Sequence, residues 1–552
     1  MLQLFRDRKT LTKILSFFAG LALLISWLLP NHYFPWATAS SEFAAFFAAL
    51  LMLPLILTKP IQVNKTVALF VLLATIPLIQ YATGIIYFWG DALIASAYLL
   101  GLATMILVGH NLASNKEMTV NAYRMLAYLF IAGSILSVGL ALTQWLILTG
   151  NVYWIADMPP DGRPFANLGQ PNMLASLLCM GIASTIYLFE KRRISLFTAA
   201  ILGVYLLFGV ALTQSRTPWL GAIFVLVWWA WKARDLSPRL SVKAILGWIG
   251  VYAIFVISIP SISGFLGGAV AHLRESDSSL ERLQIWQQLG TAVLNGPLWG
   301  YGWNQVSVAQ ITIANLVPSI SQTEHSHNIL LDLIVWNGPI LGGLLIIVIA
   351  TWLLRMAWRL RSMDSVFGMM AVGFLLIHAM LEFPLEYAYF LLPAGLIIGM
   401  VETDQLPSRT LTLPRPIFAL IIVAAGFGYA TIWQEYRLIE DDSRLLRFEM
   451  AHVGTLRAKQ AAPDVKELTQ LREYTRMART PPTNHMTTAQ LEQLHQVALR
   501  FPTKLALYRY NLALALNHQP NAQLELDRTQ GMYGSKVYQQ TMKQLAEDTA
   551  GQ

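Results

Sequence analysis

Thirteen apolar runs recur between residues 14 and 433, and most approach the length needed to cross roughly 30 Å of bilayer hydrocarbon. They occupy residues 14–29, 43–57, 67–83, 92–109, 125–148, 173–189, 196–212, 219–231, 244–262, 329–354, 366–381, 387–401 and 417–433. Inside a bilayer each run must satisfy its own N–H and C=O groups, which a helix does and an isolated strand does not. The expected fold class is therefore all-α, a polytopic membrane helix bundle of about thirteen spans. The composition fits: 13% of residues are charged, half the about 25% of a soluble globule.

Charge is unevenly spread. The last 119 residues hold 28 Asp, Glu, Lys and Arg, against 42 in the first 433, so the chain divides into a membrane part, 1–433, and a polar tail, 434–552. In the tail, residues 488–500 and 503–516 carry apolar side chains at helical spacing, broken by Phe501-Pro502 and by residues 517–521. Tyr508-Arg-Tyr-Asn-Leu-Ala-Leu-Ala-Leu516 resembles a tetratricopeptide helix, and a small helical domain of that kind is expected.

Placing Met1 in the cytoplasm puts 20 Lys and Arg of the loops on the inner side and only Arg163, Arg216, Arg274 and Arg282 on the outer side, as the positive-inside rule requires. An odd number of spans then leaves the tail outside. The basic segment 1–13 precedes an apolar run but no small-residue cleavage site follows, so a retained first helix is expected. The net charge of +8 follows from this sidedness; no basic cluster resembles a nucleic-acid-binding arm, and the bilayer is the expected partner. Cys179, the single cysteine, lies in an apolar run and is expected to be buried and inert. Two outer loops are long, 149–172 and 263–328, and loops of such length carry function more often than tight turns do.

The outer arginines defy the charge rule. A guanidinium fork matches a phosphate, so such a cluster at headgroup level points to a diphosphate ligand, with lipid-headgroup anchoring as the alternative for Arg216. Arg216 sits in the short turn Gln214-Ser-Arg-Thr217, and Arg163 in a Pro/Gly-shaped loop running into a helix. The amides of Asn167, Gln170 and Asn172 can hold sugar hydroxyls or cap the helix at Met173. Arg282 begins an amphipathic stretch, where a salt bridge to Glu281 or Asp277 competes with a ligand role; Arg274 has the context of a surface residue. Glu324-His-Ser-His-Asn328 ends the large loop. His325 and His327 are candidates for proton transfer; their i, i+2 spacing lacks the i, i+4 register of a helical zinc pair, and structural hydrogen bonding is the other reading. His378, Glu382 and Glu386 surround another outer turn, expected to be wet, and act either in catalysis or in a helix-end hydrogen-bond network. Asp332 is a candidate mid-membrane charge.

Taken in order, Gln214-Ser-Arg-Thr, the loop from Ser279-Leu-Glu-Arg-Leu-Gln-Ile-Trp286, and His327-Asn328 followed by Gly338 resemble the O-antigen ligase and polymerase superfamily. Pro77-Leu-Ile-Gln80 with Trp89-Gly-Asp91, the loop 163–172, and His378-Ala-Met-Leu-Glu-Phe-Pro-Leu-Glu-Tyr-Ala-Tyr-Phe390 most resemble the PglL-type protein O-oligosaccharyltransferases. One departure is Gly342 where the superfamily's second glycine falls near Leu341.

The resemblance implies a glycosyltransferase in a bacterial inner membrane, with its active site facing the periplasm. It would move an oligosaccharide en bloc from an undecaprenyl-diphosphate carrier to a Ser or Thr hydroxyl of an acceptor protein, pilin-like proteins included. Arg216, Arg163 and Arg282 would hold the diphosphate and His327, next to Asn328, would be the base, with no metal or other cofactor. The alternatives are ligation to lipid A core, polymerisation of a glycan, or flipping of a lipid-linked oligosaccharide.

Overall fold

A computed structural model describes residues 8–30, 35–150, 153–159, 162–269, 277–319, 321–405, 410–451, 453 and 461–550. Arg6, Asp161, Arg274 and Arg409 lie outside the described residues. Each apolar run is largely helical; 43–57 passes from helix Ala39–Met52 into the 3-10 turn Leu53–Ile56, 67–83 is interrupted between helices Lys65–Leu73 and Ile76–Ala82, and 329–354 is broken at Gly338. Among the described residues nine helices are long and apolar enough to cross a membrane, and Leu196–Leu212 and Met363–Ala379 are shorter apolar helices. The protein is a largely helical, multi-pass membrane protein.

The run at 219–231 lies in the 20-residue helix Thr217–Leu236. Its last turns contain Lys232, whose ammonium sits 4.0 Å from the Trp231 ring centroid and bonds the Trp358 carbonyl, so the charge extends the helix instead of ending it. A short antiparallel pairing of strands Ile61–Val63 and Leu411–Leu413 departs from the all-α expectation.

The chain packs as two compact units. The first comprises Met1–Leu72, Tyr98–Leu273 and Trp352–Phe427. Its core helix is Pro171–Glu190, with sixteen of twenty residues buried, packed against Lys116–Trp145, Leu196–Leu212 and Met363–Ala379. Elsewhere in the unit, Gly109 and Gly399 let two helix backbones touch: a Cβ on Gly109 would lie 2.2 Å from the Leu396 carbonyl oxygen.

The second unit comprises Leu73–Ala97, Arg274–Thr351 and Gly428–Gln552. Here the large loop forms helices Asp277–Asn295 and Val306–Ile313, and the tail forms Thr469–Arg479, Thr488–Arg500, Lys504–Leu516 and Ala522–Ala550. Thr487 caps one tail helix through a capping box with Gln490, and Thr503 caps the next through the Ala506 N–H. Tail and loop pack together: Ser307 Oγ donates to the Arg500 carbonyl at 2.8 Å, Ser319 N–H to the Gly531 carbonyl at 2.8 Å, and Tyr533 Oη to Gln322 Oε1 at 3.0 Å.

The Trp89-Gly-Asp91 motif also grips the tail. Trp89 Nε1 donates to Glu467 at 2.8 Å, a Cβ on Gly90 would collide with Gln470, and the Asp91 carboxylate takes two bonds of 3.0 Å from the buried Arg500 guanidinium. Burial works against the Arg500 charge, but Asp91, aided by Glu324, outweighs it and holds the guanidinium above its ordinary pKa.

Helix Ile329–Arg359 breaks at Gly338, φ +76°, where a Cβ would lie 1.9 Å from the Leu298 carbonyl oxygen. Pro339 has no N–H for the Val335 carbonyl, and the break removes the helical donor for Trp336. Loop backbone replaces both: Tyr301 N–H bonds Val335 O at 2.8 Å and Gly302 N–H bonds Trp336 O at 3.1 Å, with Gln80 Nε2 at 2.9 Å from the same oxygen.

Candidate functional site

In the first unit the loop before helix Pro171–Glu190 is built around Gln144. Its Oε1 accepts the N–H groups of Phe165 and Ala166 at 3.0 and 2.8 Å, and its Nε2 donates to the carbonyls of Ala156 and Ala166 at 2.8 and 2.7 Å. Asn167 cross-links the same loop, donating to the Leu28 and Trp154 carbonyls at 2.6 and 2.8 Å and accepting the Ala156 N–H at 2.9 Å. So fixed, the loop presents Arg163, whose Nη1 donates to the Gln214 carbonyl at 3.1 Å. Gln214 has φ +46°, and that left-handed residue turns the chain so that Arg216 lies exposed at the N-terminus of helix Thr217–Leu236. Arg163 and the Arg216 turn are thus brought together.

Beneath them runs a buried polar chain. Ser215 Oγ donates to Asn172 Oδ1, Asn172 Nδ2 donates to Glu382 Oε1 at 3.1 Å, and Ser176 Oγ pairs with His378 Nδ1 at 2.8 Å. His378 is 0% exposed and Glu382 3%, which corrects the expectation that this turn is wet. The turn folds back because the Glu382 N–H bonds the His378 carbonyl and Pro384 opens a 3-10 turn, and both side chains then face the core helix. The helix-capping alternative for the amides is also corrected: Gln170 occupies the N-cap position without a side-chain cap bond, and Asn167 and Asn172 are engaged elsewhere.

In the second unit His327 holds φ +58°, a left-handed conformation uncommon outside glycine. Its neighbours enforce it. Ser326 N–H donates to Asp332 Oδ1 at 2.8 Å, Ser326 Oγ donates to the Asn328 carbonyl at 2.8 Å, and Trp286 Nε1 donates to the Ser326 carbonyl at 2.8 Å. Asn328 Oδ1 accepts the N–H groups of Leu330 and Leu331 at 3.0 and 3.2 Å, capping the helix that follows. The ring is left half-buried on a fixed turn.

His325, also half-buried, precedes it on a segment tied by Thr323, whose N–H bonds Gln310 Oε1 at 3.0 Å. Asp332 is not a mid-membrane charge: it lies in the first turn of its helix, bonded to Ser326. Arg282 lies half-buried on helix Asp277–Asn295, and its neighbour Glu281 accepts Ser321 Oγ at 2.7 Å.

Sequence reasoning missed Gln144, Ser176, Ser215 and Ser326, polar residues whose partners are mostly distant in sequence. It also missed Glu42, a carboxylate 1% exposed within a span, which accepts Tyr98 Oη at 2.7 Å and the Ala388 N–H at 2.6 Å. An acidic residue beside an apolar run was the available signal. Among the described residues no group of three His, Cys, Asp or Glu converges as a metal site.

Comparison with known proteins is consistent along the chain. The family model described as protein glycosylation ligase matches residues 164–189, O-antigen ligase matches 201–346, and virulence factor membrane-bound polymerase, C-terminal, matches 366–546. A general O-oligosaccharyltransferase of Acinetobacter baylyi is 30% identical over 521 residues, covering 92% of this chain and 90% of that one. A ComP-specific O-oligosaccharyltransferase of the same organism is 28% identical over 431 residues, 76% of each chain. The first match spans membrane part and tail alike, so the chain belongs to the PglL-type O-oligosaccharyltransferases, multi-pass membrane glycosyltransferases of protein O-glycosylation.

Proposed function

We propose that the protein transfers an oligosaccharide en bloc from undecaprenyl diphosphate to a Ser or Thr hydroxyl of periplasmic acceptor proteins, pilin-like ones among them, on the outer face of a bacterial inner membrane. The observation that carries this is the bond from Arg163 to the Gln214 carbonyl, which joins two loops that the charge rule assigns to the outer face and brings Arg163 to the turn that carries Arg216. Two guanidiniums carried on joined loops suit a diphosphate.

In the reaction the acceptor oxygen attacks the anomeric carbon, the bond from that carbon to the diphosphate oxygen breaks, and the leaving diphosphate takes the electron pair. Arg163 and Arg216, with Arg282, neutralise the charge that develops. His327 accepts the hydroxyl proton, and its fixed turn supports that role, since a base must stay within about 3 Å of the proton it takes. His325 is the alternative base. Asn328 holds the His327 turn; Asn167, Asn172, Glu382 and His378 keep the arginine loop in place, and Gln170, at the mouth of that loop, is the amide available to a sugar hydroxyl.

The wider architecture is part of this reading: about thirteen spans within residues 1–433, the large loop 263–328 and the tetratricopeptide-like tail 434–552 on the periplasmic side. The test is reconstitution. Purified full-length protein, lipid-diphosphate-linked glycan and a pilin-like acceptor should yield glycosylated acceptor; glycan moved only to another glycan or to lipid A core, or moved across the bilayer without covalent product, refutes it.

A further inference from the structure

The 41 residues from 283 to 323 of the large loop include no Asp, Glu, Lys, Arg or His. At the charge density of a soluble domain, about 25%, a solvated stretch of that length would carry about ten charges. Burial within the unit does not explain the deficit. Helix Asp277–Asn295 buries Ile285, Leu289 and Ala292, but at and beyond its C-terminus Leu294 is 86% exposed, Leu298 64% and Trp299 70%. Three large apolar side chains thus stand out of the fold within six residues, around the turn Asn295-Gly-Pro-Leu-Trp-Gly300.

The turn lies against a membrane span. A Cβ on Gly300 would lie 2.4 Å from the Gly338 nitrogen, and the Leu298 carbonyl fills the space that a Cβ on Gly338 would need. Beyond Gly338 the helix exposes Ile340, Leu344 and Ile347, the i, i+4, i+7 stripe of a span that faces lipid. About 20 helical residues cover the hydrocarbon, so counting back from Arg355, the first basic residue at the inner end, places its outer edge near Val335. Gly338 is then about 4.5 Å inside that edge at 1.5 Å per residue, with Leu298 beside it. The turn's backbone suits this depth, since the N–H groups of Gly300, Tyr301 and Gly302 are bonded to the Pro297, Val335 and Trp336 carbonyls.

We propose that this turn is a membrane wedge: Leu294, Leu298 and Trp299 sit among phospholipid acyl chains just below the headgroups. Two independent observations agree on lipid as the occupant. The apolar turn continues the lipid-facing stripe of its neighbouring span, and no charge borders it in sequence for 11 residues before Leu294 or 24 after Trp299. A patch built for a protein partner would carry a polar, charged rim, whereas an indole at the edge of hydrocarbon is a common interfacial anchor. The outer leaflet is its place if the sidedness proposed above holds. The wedge then fastens the loop that carries His327 at a fixed height on the bilayer, in addition to the chain's own spans.

The experiment uses the full chain in phospholipid vesicles, with Cys179 replaced by alanine and one fluorescent probe on a cysteine placed at Leu298. A second preparation carries the probe at Ser535, exposed on the last tail helix, as the aqueous reference. Phospholipid bearing a nitroxide near the top of its acyl chain should quench the Leu298 probe several-fold more than the Ser535 probe, and aqueous iodide should do the reverse. Iodide reaching both probes equally overturns the proposal. So does shielding of Leu298 that appears only with added acceptor protein, or only as protein concentration rises, because the occupant is then a protein or a second copy. Wild-type protein gives a readout free of any labelled variant: a phospholipid with a diazirine high on its acyl chain should label residues 294–299, and absence of label there overturns the wedge. Quenching by lipid does not depend on which leaflet holds the turn, nor on the glycan donor, so an inverted orientation or a failed donor assay leaves this test standing.

Discussion

Asp332 accepts the backbone N–H of Ser326 at 2.8 Å, and His327, held at φ +58°, lies inside the loop this bond closes. The aspartate is buried, so its removal leaves a buried N–H without an acceptor, which costs about 1–3 kcal/mol. Asp332→Ala should therefore lower transfer by about ten- to a hundredfold if that loss falls on the His327 turn. Asp332→Asn keeps an acceptor oxygen and should recover most of the rate. Measuring kcat and donor binding for both variants checks this; loss of donor binding equal to the loss of rate would place the effect elsewhere.

For the base itself, His327→Ala should nearly abolish transfer while leaving donor binding largely intact, because the diphosphate is assigned to arginines. His325→Ala should be milder. Transfer rate and donor affinity measured side by side decide between the rings, and a dead His325→Ala beside an active His327→Ala would exchange their roles.

Arg216 stands exposed at a helix N-terminus, whereas Arg163 is half-buried and already bonded to the Gln214 carbonyl. Lysine keeps the charge but lacks the planar fork, so Arg216→Lys should be impaired almost as much as Arg216→Ala, each by roughly ten- to a hundredfold. Donor titration and turnover are the readouts. Normal values for both variants at normal protein levels would remove Arg216 from the site.

The Asp91–Arg500 pair predicts a stability effect. Arg500→Leu leaves a buried carboxylate unpaired and should cost about 3–5 kcal/mol, and Asp91→Leu combined with Arg500→Leu should recover much of it. Because the Arg500 pKa is raised, its contribution is present below the ordinary arginine value and disappears only as pH rises through the raised one. The pair's contribution to the melting of the tail should therefore be fully present at neutral pH. Limited proteolysis with temperature follows the tail directly; equal melting of wild type and Arg500→Leu would show that the clasp holds nothing.

Sidedness is checked by labelling single cysteines from outside intact cells, in a background where Cys179 is replaced by alanine. A cysteine at Ser535, exposed on the last tail helix, should be labelled and one at Ser362 should not. The reverse pattern inverts the orientation.

What was legible in the sequence was whatever is written locally. Thr503 followed by an apolar period announces a helix, and Phe501-Pro502 announces the break before it. Arg163 and Arg216 stood out because charge on the wrong side of a bilayer is conspicuous in one dimension. Asn172 with Glu382 and Ser176 with His378 are pairs more than 200 residues apart, and a single sequence carries no mark of such a meeting. Gly342 looked like a misplaced motif glycine. In the structure its absent side chain is needed because a Cβ there would lie 2.5 Å from the Leu333 carbonyl oxygen, on the segment before the Gly338 break.

That break decides which part of the large loop is able to move. Val335 and Trp336 offer carbonyls that their own helix no longer uses, and residues 301 and 302 fill them as a plug fills a socket. Were the plug withdrawn, the Val335 carbonyl would be left bare, at a cost of several kcal/mol in hydrocarbon, and the Trp336 carbonyl would keep only Gln80. The segment around Tyr301 therefore cannot swing as a lid. Any opening for a bulky glycan or a folded acceptor has to come from loop segments on either side of it, and a substitution that mended the helix would free the plug and unfasten the loop that carries His327.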